Sequence, residues 1–193
     1  MAQSLQALFP GMKPQPKALN AFESAAREIA ARASLKVLLW GPTDPANDVA
    51  KKRLELCEKL NRMGHQADLS EKTLSPSVLR ASGLNLTVAE LLEAQRYDYI
   101  VVFMDSPGSL AEVHDFAKEP GLARKMLICV DGAHRNGYSA HGALRIFEGN
   151  NGRLHWFDRP RDLTECHLST CVLDQIAKVF EAKQWALVDR EAN

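Results

Sequence analysis

Apolar residues in this chain come in two arrangements: short unbroken runs, and longer stretches in which they recur every three or four positions. Three runs are the clearest: LKVLLW (35–40), YIVVFMD (99–105) and KMLICVD (125–131). They lack the polar alternation of a half-exposed strand, so each predicts a strand buried on both faces of a sheet. HQADLS (65–70) predicts a shorter strand, and RIFEGNNGRLHWF (145–157) predicts two short strands around its Asn-Asn-Gly turn. Helical spacing is found in KALNAFESAAREIAARA (17–33), with Leu19, Phe22, Ala26 and Ile29 recurring on one face. It recurs in ANDVAKKRLELCEKLNRMG (46–64), where Val49, Leu54, Leu56, Cys57 and Leu60 form the apolar stripe. There Asn47 or Asp48 is the expected N-cap, and Gly64 the expected residue just past the C-cap. TVAELLEAQRYD (87–98) predicts a helix opened by a capping box of Thr87 and Glu90. SLAEVHDFAKEP (109–120) predicts a helix stopped near Pro120, and LTECHLSTCVLDQIAKVFEAKQW (163–185) a long closing helix.

Strands that alternate with helices predict an α/β fold: a doubly wound parallel sheet, Rossmann- or flavodoxin-like, with helices on both faces. PGMKPQP (10–16) is unsuited to regular structure, so residues 1–34 read as an N-terminal arm and helix, and residues 35–193 as a single α/β domain. Residues 71–86 look polar and irregular, and predict a covering over an opening. In such sheets ligands gather beyond the carboxyl ends of the strands, near the reversal in strand order. Two strand ends carry unusual chemistry here: WGPTD (40–44) and DSPGSLAE (105–112).

Composition narrows the function classes. The 193 residues suffice for one domain with a proper core. Lys and Arg number 24 and Asp and Glu number 24, so no excess of cation favours nucleic acid as the main partner. Cys57, Cys129, Cys166 and Cys171 form no C-x-x-C pair, and the first two occupy expected core positions. That is the usage of a reduced, cytoplasmic protein. MAQSLQALFPGMK lacks a charged segment followed by a long apolar one, and no run approaches the roughly 18 apolar residues of a membrane span. The expectation is a cytoplasmic protein without membrane association.

DSPGSLAE admits two readings. Ser109 and Glu112, three residues apart, match a capping box, with Pro107 and Gly108 supplying the turn before it. Alternatively, the helix start offers free N–H groups and partial positive charge to a phosphate or carboxylate. Asp105 and Glu112 then form a carboxylate pair near one cavity. Such a pair divides labour at a glycosidic bond: one meets the positive charge on the sugar, the other handles a proton or a hydroxyl.

WGP at the end of the first run, RYDYIVVFMDSPGSLAE and KMLICVD together resemble the nucleoside 2-deoxyribosyltransferase-like family. That group includes base-exchanging transferases and nucleoside-monophosphate N-glycosidases. Its pattern is an apolar strand ending Gly-Pro, an aspartate before the central strand (Asp98 here), then Gly-Ser/Thr and a glutamate. Gly108, Ser109 and Glu112 also resemble the Gly-Ser/Thr-x-x-Glu segment of the cytokinin-activating phosphoribohydrolases, and related short effectors of bacterial defence systems carry a similar Ser-Pro-Gly-Ser segment. The resemblance spans roughly residues 35–131. It implies that Glu112 attacks C1′ or stabilises its charge, with Asp105 near a family aspartate that contacts sugar or base. It implies that Gly41 and Pro42 lie against the nucleoside, and that Ser106, Gly108 and Ser109 hold the sugar or its 5′-phosphate. The C-terminal part has no counterpart of the asparagine that some transferases supply from a neighbouring subunit.

The expected function is therefore an N-glycosidase acting on a nucleoside, a nucleotide or a dinucleotide, with deoxyribosyl transfer as the other reaction of the family. A binding or sensing module of the same fold is the alternative. No metal and no cofactor is implied. The partners that the resemblance allows are a small nucleoside or nucleotide, a second copy in a homodimer, and a protein of a defence system. Cys166, His167 and Cys171 with His155 form a poor zinc set, because thiols five residues apart on a helix face different ways. His114, two residues after Glu112, points away from it. His134 and His141 in GYSAHG and its approach belong to a flexible loop near the mouth, and Trp40 belongs to the core.

Overall fold

The computed structural model describes residues 16–191, and the chain divides into two compact units. One is Ser34–Ala182; the other joins Met1–Ala33 to Lys183–Asn193. The larger unit holds the whole sheet: β1 (Lys36–Trp40), β2 (Gln66–Leu69), β3 (Tyr99–Met104), β4 (Met126–Asp131) and β5 (Arg153–Phe157). All neighbours are parallel, in the order β2-β1-β3-β4-β5. The three unbroken apolar runs lie side by side in its interior, with Leu38 beside Ile100 and Ile100 beside Met126. All six residues of β3 are buried, whereas the edge strands β2 and β5 keep partly exposed positions. This is the doubly wound α/β architecture that the pattern predicted. The strand order reverses between β1 and β3, the place where such sheets bind ligands beyond the carboxyl ends of their strands.

The longer helices are α1 (Pro16–Ala33), in the smaller unit, α2 (Asp48–Arg62), α3 (Leu86–Gln95), α4 (Pro107–Phe116), α5 (Ala143–Gly149) and α6 (His167–Glu191). Alternate strand residues feed two cores. Val37, Leu39, Val101 and Cys129 pack with Leu56 and Leu60 of α2 and with Val172 and Ile176 of α6. Leu38, Trp40, Val102 and Ile128 pack on the other face with Val113 and Phe116 of α4 and Phe147 of α5. Trp40 is fully buried, 5.4 Å from the Phe116 ring between centroids. Asn47 caps α2 by accepting the Val49 and Ala50 N–H groups, and Gly64 follows the C-cap Met63 with φ +89°.

Several local expectations are corrected. Residues 145–149 form part of α5 and not a strand: Leu144 and Phe147 bury one helical face, and Asn151 at φ 64° turns the chain into β5. Residues 71–86 contain short helices Ser70–Thr73 and Pro76–Ser82 and the first residue of α3. The N-cap of α3 is Asn85, which accepts the Val88 N–H, so Thr87 and Glu90 form no capping box. The loop with Tyr138 and His141 is a short helix, Tyr138–His141. The closing helix breaks at Cys166 (φ 61°) into Arg161–Thr164 and α6. On α2, Leu54 is 45% exposed while Arg53 is 2% exposed, so the cation and not the leucine sits in the stripe. The expected irregular segment before Pro16 lies outside the described residues.

Candidate active site

The turn after β3 is held by two serines. Ser106 is the N-cap of α4 and accepts the Ser109 N–H at 3.1 Å; Ser109 accepts the Ser106 N–H at 3.0 Å and the Asp105 N–H at 3.1 Å. This reciprocal pair is the capping box, so Glu112 has no part in it. Pro107 and Gly108 are the first two residues of α4 and not the turn before it. Ser109 is buried with its hydroxyl fully engaged, whereas Gly108 is exposed and a Cβ there would meet only Ser106 Oγ, at 3.9 Å. Ser109→Ala is expected to cost about 1–3 kcal/mol, because two backbone donors lose their acceptor inside the turn. Urea denaturation measures it; a cost within about 0.5 kcal/mol would contradict the account.

Freed from capping, Glu112 is half-buried on the flank of α4 that faces α3 and the end of β1. Its Oε2 is buried without a partner. Burial pushes its carboxyl up to about 7, the Glu90 carboxylate adds to the rise, Arg53 opposes it and Glu71 adds to it. Glu90 on α3 is likewise pushed up to about 7 by burial, with Asp115 and Glu93 adding. Arg53 crosses from α2: its Nη1 donates to the Leu39 carbonyl at 3.1 Å and its Nη2 to Glu71 Oε1 at 2.6 Å. Gly41, at φ +149°, leaves room for this arm; a Cβ would lie 3.3 Å from Arg53 Cδ. Pro42 beside it is buried. Gly41 and Glu71 thus lie against Arg53, and the charges of Glu90, Arg53 and Glu71 act on Glu112.

A cavity of about 450 Å³ lies over the ends of β3 and β4, lined by Asp105, Ser106, Leu110, His134, Tyr138 and Ser139 among others. Leu110 and His114 stand about 200° around α4 from Glu112, since each residue turns the helix by about 100°. Glu112 therefore lies on the flank of α4 away from this cavity. His114 Nε2 is 3.2 Å from Ser139 Oγ, and its ring stacks with that of Tyr138 at 6.3 Å and 5°. Asp105, at the root of the turn, accepts from Asn47 Nδ2 at 2.8 Å and is paired with Arg159. Arg159 also meets Asp131 at 3.2 Å and Asp48 at 3.3 Å. Asn47 thereby ties the first turn of α2 to the end of β3.

Of the residues picked from sequence, Gly41 lies beside Arg53, whose charge also acts on Glu112. Asp105 and Ser106 line the cavity on the other flank, with the Ser106–Ser109 turn between the two. Sequence reasoning missed Arg53, Glu71, Glu90 and Arg159. Arg53 had a signal: it follows Val49 by four and precedes Leu56 by three, a cation inside an apolar stripe. Among the described residues no group of three or more His, Cys, Asp or Glu is placed to hold a metal ion. Among the same residues no helix is long and apolar enough to cross a membrane.

Comparison with solved structures finds a likeness to the CMP N-glycosidase BcmB of Clostridium botulinum. The TM-score is 0.38 and the identity 15%, over 69% of this chain and 98% of that one. No curated protein matches. The family model described as "STM3845 retron effector protein" matches residues 51–190, which take in most of α2, with Arg53, and all of α4, with Glu112. On that match the chain belongs to the STM3845 retron effector protein family.

Proposed function

We propose that this chain is an N-glycosidase that hydrolyses the base–sugar bond of a nucleoside, nucleotide or dinucleotide, with Glu112 as the carboxylate that meets the charge at C1′. The observation that carries this reading is the state of Glu112: a half-buried carboxyl at the strand-order reversal, with one oxygen unpartnered and no structural duty in the helix cap. A buried carboxylate oxygen without a partner costs stability, and such groups cluster at functional sites. The motif resemblance independently puts the attacking or stabilising carboxylate at the same residue.

In the proposed reaction the C1′–N bond breaks with its electron pair leaving on the base. The ionised Glu112 attacks C1′ or stabilises the oxocarbenium-like sugar. Water then delivers its oxygen to C1′ and its proton to the base. Gly41 and Pro42 lie against the nucleoside, and Ser106 and Gly108 at the start of α4 take the sugar or its 5′-phosphate, where N–H groups and the helix dipole favour an anion. Ser109 serves by shaping that turn. Asp105, already paired with Arg159 and Asn47, acts by fixing the end of β3. Membership of a retron effector family accords with the resemblance to defence effectors, and a partner protein of that system is part of the reading.

The pH profile tests the assignment. Glu112 works ionised, so base release should be low below its titration near 7 and rise through it to a plateau. Glu90→Gln removes a like charge that raises Glu112, so the rising limb should move to lower pH. A limb that stays in place, or moves up, would show that another group sets the rate.

A further inference from the structure

Tyr138 is 86% exposed, the most of any large hydrophobic side chain among the described residues. A ring left in water adds little to core burial, so folding alone does not account for it. It is nonetheless held. Its plane lies parallel to the His114 ring, and the neighbouring Ser139 Oγ is 3.2 Å from His114 Nε2. His114 and Leu110 are four residues apart on α4 and share one flank of that helix. Tyr138 and Leu110 both line the cavity of about 450 Å³, as does the buried Met104 at the end of β3. Small-molecule pockets run from about 300 to 1,000 Å³, apolar for the most part with a few fixed polar groups. The fixed polar group here is Asp105. One of its oxygens accepts from Asn47 Nδ2 at 2.8 Å and the other is paired with Arg159. An ionised carboxylate has about four lone-pair sites, so these two contacts leave acceptor capacity for a ligand.

We propose that this cavity is a second small-molecule site, separate from the Glu112 flank, which takes a planar heteroaromatic ring bearing an amino group. The ring stacks on Tyr138, with Leu110 and Met104 as its apolar wall, and the amino group donates to Asp105. An aromatic face accepts any planar ring, while the carboxylate selects one that carries a donor. Glu112 stands about 200° around α4 from Leu110, so a ring seated here is not the one released at C1′. The site therefore goes beyond the glycosidase reading and does not depend on it. Adenine and cytosine have the required chemistry and no glycosidic bond to break, which makes the free bases suitable probes.

The test is calorimetric titration of the full chain with adenine and with cytosine, beside unsubstituted purine, which lacks the amino group. At least one of the two amino-bearing bases should bind, and purine should bind more weakly than adenine. Tyr138→Ala should weaken the binding by about five- to a hundredfold, the range for losing one stacked ring, while Tyr138→Phe, which keeps the ring, should stay within about twofold. Both variants alter an exposed side chain, and circular dichroism confirms that they fold. Glu112→Gln should also stay within about twofold, because Glu112 lies on the other flank of α4. No binding of either base at millimolar concentration overturns the proposal. So does parent-like affinity in Tyr138→Ala, or affinity lost in Glu112→Gln, since the bases would then sit on the Glu112 side. Purine binding as tightly as adenine removes Asp105 as the selecting acceptor. The titration needs no turnover. Binding that follows Tyr138 in a protein that releases no base would keep this site and remove the glycosidase reading, whereas base release without such binding would do the reverse.

Discussion

Glu112→Gln should melt at a higher temperature than the parent protein at pH 8, and yet release base at least about a hundredfold more slowly, the lower end of what a positioned catalytic group contributes. The stability gain follows from the environment of the carboxyl. In the unfolded chain a glutamate titrates near about 4.3, while burial and Glu90 push Glu112 up to about 7 in the fold. Below the unfolded value both states hold the proton and the group costs nothing. As pH rises towards 7 the unfolded chain gives up its proton first, so the folded state loses stability relative to it. Above 7 that loss is complete. Glutamine never ionises, so its advantage should be absent near pH 4 and full at pH 8. It should reach roughly 1–3 kcal/mol there, below the full shift because the carboxyl is only half-buried. Melting curves at the two pH values check it. A variant that melts earlier at pH 8 would mean that the carboxylate supports the fold after all.

The second large effect is expected at Gly41. Its φ of +149° suits glycine, and a Cβ would stand 2.9 Å from Phe103 Cβ and 3.0 Å from the Phe103 carbonyl oxygen. Both neighbours are fixed, because Phe103 is fully buried in β3. Gly41→Ala must therefore shift the loop, and should cost about 2–4 kcal/mol, combining backbone strain with overpacking. Gly41 is also proposed to lie against the nucleoside, so base release should fall further than stability alone explains. Denaturant unfolding and assay on the folded fraction separate the two effects. Parent-like stability would contradict the close approach of the β1 turn to β3.

The sheet was legible because its three central strands are buried on both faces, and that burial writes itself into the chain as unbroken apolar runs. Glu112 stood out through its place after the most apolar strand. What escaped were choices between near-equivalent local solutions. Ser106 and Ser109 both suit a cap, and only the path of the turn decides that the box closes at Ser109 and excludes Glu112. RIFEG reads as strand or helix over so short a span, and packing of Phe147 against the second core selected helix. Arg53, Glu71 and Glu90 come from three separate segments, so their meeting with Glu112 is a product of topology that no local pattern encodes. Arg159 is the same case on the other flank, reaching Asp48, Asp105 and Asp131 from beyond β5.

The most direct measurement is chromatographic detection of free base after the purified protein is incubated with a panel of nucleosides, nucleoside monophosphates and dinucleotides, beside Glu112→Gln shown to be folded. Base should appear from at least one member of the panel with the parent protein, in step with free sugar, and fall by at least about a hundredfold with the variant. Release at the parent rate from Glu112→Gln would contradict the account, as would a protein that binds a panel member and leaves every base–sugar bond intact.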